Sequence, residues 1–341
     1  MKLTTIGIDL AKNVFQVHGA DDKGRALLKK QLKRAQVVPF FANLAPCRIG
    51  MEACGSAHFW ARKLQALGHT VQLIAPQYVK PFVKRNKNDA ADAEAICEAI
   101  SRPNMPAVPI KNAEQQAILS VHRARQGFVK ARTAQANQIR GLLAEYGIVI
   151  PQGIAHIAKR IPAILEDGDN DLPWSFRLLI QRLFDHLKEL DRQVRELEGD
   201  IQAWHRENSA SQRLAQIPGI GPVTATALVA SVGDARQFKN GRQLAAWLGI
   251  VPRQHSTGGK ATLFGISKRG DAYLRTLLIH GARALVRIAE RNPGADPWLK
   301  KMLARRHKNV VAVALANKNV RTIWALLAHD REFVAGYRTA A

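Results

Sequence analysis

Cysteine is scarce in this chain of 341 residues: there are three, Cys47, Cys54 and Cys97. They cannot all pair and they lack zinc-ligand spacing, which excludes a disulfide framework and a zinc module. They read as reduced thiols and small buried hydrophobes of a cytoplasmic protein. Long apolar runs are missing too. No stretch of about eighteen apolar residues offers a bilayer span, so no membrane partner is expected. Met1-Lys2-Leu3 leads directly into a strand pattern, unlike a signal peptide. Acidic residues are the third shortage: 27 Asp and Glu stand against 51 Lys and Arg, a formal net charge of +24 with a pI near 10.5. That excess implies a polyanionic partner, nucleic acid before membrane. At 47% hydrophobic the chain still buries a sizeable core, enough for two or three domains.

Because acids are few, their placement is informative. Asp9 stands in Ile6-Gly7-Ile8-Asp9-Leu10-Ala11-Lys12, Glu52 in Ile49-Gly50-Met51-Glu52-Ala53, and Asp89 and Asp92 in Asn88-Asp89-Ala90-Ala91-Asp92-Ala93. Each sits where an apolar segment ends or a helix begins. Acids gathered at element ends are a usual way to hold divalent metal beside a phosphodiester. Taken singly, Asp89 reads as an N-cap and Asp9 as a turn residue; the four together read as a metal-dependent DNA-processing site.

The first hundred residues alternate as an α/β domain. Strands are expected at 3–10, 14–20 and 25–32, with the turn signal Asp21-Asp22-Lys23-Gly24 between the last two. A helix at 36–44, a short strand at 47–51 ending at Glu52, a helix at 56–67 stopped by Gly68 and a strand at 70–74 follow. Three hairpin-like strands and then αβα segments is the order of a ribonuclease-H-like fold. Asp9 and Glu52 would then project from neighbouring strand ends into one cleft. Asp89 and Asp92, three residues apart at the start of a helix over 89–100, would share a face. Two Mg²⁺ ions about 4 Å apart would activate the attacking oxygen and stabilise the leaving one.

Cationic segments flank this site. Lys80, Lys84, Arg85 and Lys87 precede the acidic helix, where phosphate contact is expected. A long helix over 114–146 carries His122, Arg123, Arg125, Lys130, Arg132 and Arg140, and is expected to present one side to nucleic acid. Residues 151–173, richer in Gly, Pro and Asp, mark a linker or short helical insert. Phe176, Ile180, Leu183, Leu187, Leu190, Val194, Leu197, Ile201 and Trp204 then recur at a 4-3-4-3 spacing. That a/d seam of about four heptads predicts a coiled coil, most simply with a second subunit, the alternative being a helix packed on its own domain. The expected division is 1–150, 151–208 and 209–341.

The last third opens with Pro218-Gly219-Ile220-Gly221, a helix-hairpin-helix signal in which Gly219 and Gly221 let the backbone turn and offer amides to a phosphate. A helix over 238–248 leads to Pro252-Arg253-Gln254-His255-Ser256-Thr257-Gly258-Gly259-Lys260, read as a polar loop. Gly265-Ile266-Ser267-Lys268-Arg269-Gly270 then enters another helix. Arg253, Lys260, Lys268 and Arg269 are expected to meet nucleic acid. By chemistry alone, a serine in such a loop is a phosphate ligand, a turn residue or a nucleophile.

Six segments in order resemble the DEDD transposases of insertion-sequence family 110, and most nearly its subgroup 1111: Gly-Ile-Asp-Leu-Ala-Lys at 7–12, Met-Glu-Ala-Cys-Gly at 51–55, Lys-Asn-Asp-Ala-Ala-Asp-Ala at 87–93, Pro-Gly-Ile-Gly at 218–221, Pro-Arg-Gln-His-Ser at 252–256 and Gly-Ile-Ser-Lys-Arg-Gly at 265–270. The resemblance spans essentially the whole chain. It implies a RuvC-type nuclease domain, a coiled coil and a helical C-terminal transposase domain. The family's four metal ligands fall on Asp9, Glu52, Asp89 and Asp92, and its catalytic serine on Ser256; Ser267 lies in a second motif. It further implies Mg²⁺, a covalent phosphoserine link to DNA, donor and target duplexes, a structured non-coding guide RNA (a bridge RNA) and a homo-oligomer, dimer or tetramer, in which one subunit's acids meet another's serine.

Two other classes stay open at this stage. A stand-alone Holliday-junction resolvase needs the four acids but no serine and no C-terminal half. A non-catalytic nucleic-acid-binding protein needs the charge but not acids in register.

Overall fold

Ile6 with Ile8, Phe15 with Val17, and Ile49 with Met51 alternate with glycine or polar positions, and all six are buried. This period of two lays down strands with one apolar face. The computed structural model describes residues 2–84, 88–292 and 294–335. Its strands and helices fall into two units, Met1–Ala113 and Glu114–Ala341.

The first unit contains β1 (Thr5–Leu10), β2 (Val14–Ala20), β3 (Ala26–Lys33), α1 (Val37–Ala42), β4 (Arg48–Glu52), α2 (Ala57–Ala66), β5 (Thr70–Ile74), α3 (Pro76–Val79), α4 (Asp89–Ser101) and β6 (Ala107–Val108). The sheet order is β3-β2-β1-β4-β5-β6. β1, β2 and β3 form an antiparallel meander, β4 and β5 join β1 in parallel, and β6 closes the edge antiparallel. The turn between β2 and β3 is held by Asp21, whose carboxylate accepts from the amides of Lys23 and Arg25 at 2.9 and 2.8 Å. One sheet face packs on Val37, Phe41, Trp60, Ala61 and Leu64 of α1 and α2. Each large apolar side chain there contributes about 1.5–3 kcal/mol. The other face is covered by α4.

The second unit contains α5 (Ala113–Ala144), α6 (Ile154–Glu166), α7 (Trp174–Glu207), α8 (Ser209–Ala215), α9 (Pro222–Val232), α10 (Gly241–Trp247), β7 (Pro252–Thr257), β8 (Lys260–Ile266), α11 (Ala272–Arg291), α12 (Pro297–Leu303) and α13 (Lys308–His329). α5 and α7 lie antiparallel. Going up one and down the other, Glu114 meets Trp204, Arg125 meets Glu198, Arg132 meets Asp191, and Gln135 meets His186.

The heptad seam is therefore corrected in its partner. Ile180, Leu187, Leu190, Val194 and Ile201 are already buried within one chain. Ile180 and Leu187 pack with Ala136, Ile139 and Leu143 of α5 and with Ile157 and Ile161 of α6. A 4-3 spacing specifies an apolar stripe, and a neighbouring helix of the same chain covers it here, not a second copy. Residues 151–173 prove to contain α6. A separate core joins α8–α13, including Leu228, Leu244, Leu278 and Ile323. Among the described residues, α13 alone is long and apolar enough to cross a membrane by length and composition, and its Val311, Leu315, Val320 and Ile323 are buried in that core.

Candidate active site

Two glycines let α4 lie directly on the sheet. A Cβ on Gly7 of β1 would stand 2.2 Å from the carbonyl oxygen of Ala93 and 2.4 Å from the amide nitrogen of Cys97. On Gly50 of β4 it would stand 2.5 Å from Ile100 Cγ2. Side chains along a strand repeat every second residue. Asp9 thus shares the α4 face with Gly7, and Glu52 shares it with Gly50. β1 and β4 pair in parallel with Ile8 opposite Met51, so these two acids follow the same rung on adjacent strands.

α4 runs against β1, with the Cys97 thiol near Thr5 and Ala93 over Gly7. Its N-terminus consequently arrives at the β1 end that carries Asp9. Carboxylate oxygens of Asp9, Asp89 and Asp92 lie within 4.8 Å of one another. The N-cap is Asn88, whose side chain accepts from the Ala91 amide at 2.7 Å. Capping therefore does not occupy Asp89, against the single-residue reading of it. Both aspartates of α4 stand in the first turn, where the helix dipole favours negative charge. Glu52 lies outside the group of three, but it shares a neighbour with Asp9. The Cys54 thiol is pushed up by crowding around its sulfur and then by the carboxylates of Glu52 and Asp9.

These residues fit a hard divalent cation. The donors are oxygens alone, three of them in a space little wider than the ~4 Å between opposite ligands of Mg²⁺ at ~2.0–2.1 Å. No His or Cys belongs to the cluster.

Ser256 stands on a different kind of element. The segment read as a loop is a hairpin, β7 with β8, pairing Gln254 with Leu263, His255 with Thr262, Ser256 with Ala261 and Thr257 with Lys260. Gly258 and Gly259 take φ +56° and +77°. Two successive positive φ values make the two-residue turn that matches strand twist. The polar residues of β7 hid it from periodicity. All of β7 is exposed, and Leu263 and Phe264 of β8 are exposed as well. Ser256 Oγ accepts from Gln254 Nε2 at 2.6 Å, and the Arg253 guanidinium lies 5.1 Å from the Phe264 ring centre. His255 faces Thr257, its Nδ1 3.5 Å from the hydroxyl. Ser267, by contrast, is fixed by its backbone, its amide donating to Val251 O at 2.8 Å.

The remaining candidates are dispersed. Gly219 has φ +84° and packs on Gly281 of α11, whose Cβ would meet Gly219 O at 1.9 Å. Gly221 is the N-cap of α9, with open space beside it. Lys268, at φ +57°, and Arg269 belong to a loop locked against Gly249. Arg123, Lys80, Lys260 and Lys84 are exposed, Lys84 bridging Glu98 at 2.9 Å and Glu94 at 3.5 Å. Arg132 is paired with Asp191 of α7. Arg85 and Lys87 lie outside the described residues.

Comparison with known families finds two matching blocks, the first of which runs across the boundary between the two units. A family model described as Transposase, of the IS110 DEDD type, matches residues 6–148, and one described as Transposase IS116/IS110/IS902 family matches residues 211–301. The chain is 56% identical over 332 residues to a "Probable family 20 transposase" of Pseudomonas aeruginosa, covering 97% of this chain and 98% of that one. The chain belongs to the IS110 family of insertion-sequence transposases. It is 44% identical to the transposase for insertion sequence element IS1328 of Yersinia enterocolitica, over 97% of this chain and 98% of the other. For that of IS1111A of Coxiella burnetii, identity is again 44%, with coverage of 97% and 91%. Members of the family are DNA-cleaving and strand-transferring enzymes.

In this transposase the first block spans all four acids and the second spans both serines. Reading by motif missed Gly7 and Gly50 as the residues that admit α4, although a glycine two positions before each strand-end acid was a visible signal. It also missed a buried junction in the second unit. His122 of α5 has its Nδ1 2.9 Å from Tyr273 OH and its Nε2 2.9 Å from Thr226 Oγ1, while Thr226 donates to Pro222 O at 2.8 Å. Thr226 must then accept from Nε2–H, leaving Nδ1 to accept from Tyr273. Burial, then Arg125, holds the imidazole down to about 4.

Proposed function

We propose that this transposase moves its element by recombination, cutting and rejoining DNA through a covalent serine link and divalent-metal chemistry at its acids. The observation that carries the reading is the convergence of Asp9, Asp89 and Asp92 within 4.8 Å, with Glu52 on the same sheet face one strand away. The strand order, an antiparallel meander followed by parallel strands and α4 across them, supports a ribonuclease-H-like, RuvC-type assignment for this domain.

Asp9, Glu52, Asp89 and Asp92 would hold Mg²⁺, most simply as a pair of ions. Bound there, the metal would polarise the phosphate and neutralise charge on the leaving oxygen. Ser256 Oγ, on an exposed strand beside a glycine turn, has room for a phosphodiester. In the step proposed, its oxygen forms a bond to phosphorus and its proton passes to a base brought by the bound complex. The bond from phosphorus to one sugar oxygen breaks, and that oxygen leaves as a hydroxyl. Attack by a hydroxyl of the other duplex reverses the step and frees the serine. Ser267 is held by its backbone in a tight loop, which favours Ser256.

The division 1–150, 151–208 and 209–341 remains our functional one, with nuclease, connecting and serine-bearing regions. Lys80, Lys84, Arg123, Arg253, Lys260, Lys268 and Arg269 would contact phosphates, with Gly219 and Gly221 offering backbone. We also propose a structured non-coding RNA of the element as guide, donor and target duplexes as substrates, a dimer or tetramer as the working form, and action in the cytoplasm. The net charge of +24 suits one surface holding both RNA and DNA. An oligomer would need an interface other than the seam already covered by α5 and α6. The test is recombination in vitro between donor and target plasmids, with and without the transcript from the element's non-coding end. Joined products that require the transcript and Mg²⁺ are expected; joining without the transcript would remove the guide from the account.

A further inference from the structure

The α4 face of the sheet continues beyond the acids. On β2, Gln16 stands opposite Asp9 and His18 opposite Gly7; on β3, Gln31 stands opposite Gln16 and Lys29 opposite His18. The period of two puts all four on the side that carries Asp9. Two rows result. Glu52, Asp9, Gln16 and Gln31 form one, and Gly50, Gly7, His18 and Lys29 form the other. Between these rows and the N-terminal half of α4 lies a cavity of about 570 Å³, lined by Gln16, His18, Lys29, Gln31, Lys84 and Glu94 among others.

His18 makes this cavity unusual. It is 7% exposed, its side chain makes no hydrogen bond among the described residues, and it lines the opening. Its ring nitrogens are left for solvent or a ligand oxygen in the cavity to meet. Its neighbours have the matching chemistry. Lys29 makes no ion pair among the described residues, whereas Lys84 already has Glu94 and Glu98. The two glutamines both donate and accept, without adding charge beside the acids.

We infer that this cavity holds the sugar–phosphate backbone of the nucleic-acid strand that runs past the acids, with Lys29 and His18 contacting a phosphate and Gln16 and Gln31 lining the way to the cleaved bond. The inference rests on the reading of the acids as the cleavage site. From Asp9 to Gln31 is two strand spacings, about 10 Å. At ~3.4 Å of rise per nucleotide that is about three nucleotides of one strand. The contacted phosphate therefore lies two to three positions from the scissile one. Glu94 does not spoil the site, because its carboxylate faces Lys84.

The test couples one protein charge to one phosphate. Full-length protein is titrated, by fluorescence anisotropy without divalent metal, against a duplex of the element's end carrying a single neutral methylphosphonate at each position around the cut, and against the same series in the element's non-coding transcript. Wild type should lose about 5-fold in affinity at one position, two to three nucleotides from the cut. Lys29→Gln, a change at an exposed residue, should lose about the same on unmodified strand, show no further loss at that position, and have a salt slope lower by about one. Coupling in the duplex names DNA as the strand and coupling in the transcript names RNA; either supports the cavity. Additive losses at every position in both would overturn it. Asp9→Asn is run in parallel for cleavage with Mg²⁺. If that variant still cuts, the reading of the acids fails while the coupling result stands on its own.

Discussion

The acids and the serine sit on opposite kinds of scaffold. Asp9 and Glu52 end strands whose Ile8 and Met51 are 1% and 0% exposed, under a helix admitted by Gly7 and Gly50. Ser256 sits on a two-stranded hairpin exposed along the whole of β7. The first arrangement is fixed by packing before any ligand arrives. A two-stranded hairpin on its own is marginally stable in water. On the function proposed, the difference would be a division of labour: a metal site set by packing, and a serine on an exposed element that could follow a substrate.

The largest effects should separate chemistry from stability. Asp9→Asn and Ser256→Ala should each lower strand cleavage by about 10³-fold or more, while thermal melting stays near wild type, because neither change opens a cavity. A large fall in melting temperature for Ser256→Ala would show that the hairpin is part of a packed core after all. Next come the backbone contacts. Gly7→Val should cost about 3 kcal/mol or more, since its Cβ would overlap Ala93 O and the α4 backbone cannot yield cheaply. Gly258→Val, at φ +56°, should cost only about 1–2 kcal/mol of local strain. It should weaken strand transfer with little change in global melting. Equal denaturation shifts for the two would erase the contrast between scaffolds.

Leu187→Asp with Leu190→Asp should unfold the second unit by circular dichroism, at about 3 kcal/mol or more for charges left in an apolar seam. A folded double variant of reduced mass in solution would restore the seam to a subunit interface. The most conditional effect, visible only as pH is lowered, is at His122. Its folded value, about 4, lies below the unfolded 6.5, so the neutral ring is the one the fold selects. The corresponding stability, of order 2–3 kcal/mol, is fully present above pH 6.5 and fades as pH falls toward 4. His122→Gln should flatten that part of the melting-versus-pH curve; an unchanged slope would assign it to other groups.

Much of the first unit was legible from residues alone. The strand-end acids followed short apolar runs, and Gly68 and the Asp21 turn marked boundaries, so β1–β5, α2 and α4 fell within a few residues of expectation. β6, two residues long, carries too little pattern to read. The β7–β8 hairpin was read as a loop because both of its faces are exposed, and hydrophobic alternation is the signal of a buried face. The α7 seam was visible as a stripe, but periodicity does not say whose helix covers it. Asp9, Asp89 and Asp92 were legible as a set; the row of Gln16, His18, Lys29 and Gln31 was not, because register across strands is a property of pairing rather than of any one segment.

The central claim, a serine link made with the help of the acids' metal, is tested most directly by a denaturing gel of end-labelled element DNA. Wild type, Ser256→Ala, Ser267→Ala and Asp9→Asn are incubated with Mg²⁺ or with chelator. Wild type and Ser267→Ala should leave protein covalently attached to DNA with Mg²⁺ and none with chelator, and neither Ser256→Ala nor Asp9→Asn should leave any. An adduct that survives Ser256→Ala, or cleavage by wild type with no adduct at all, would contradict the account.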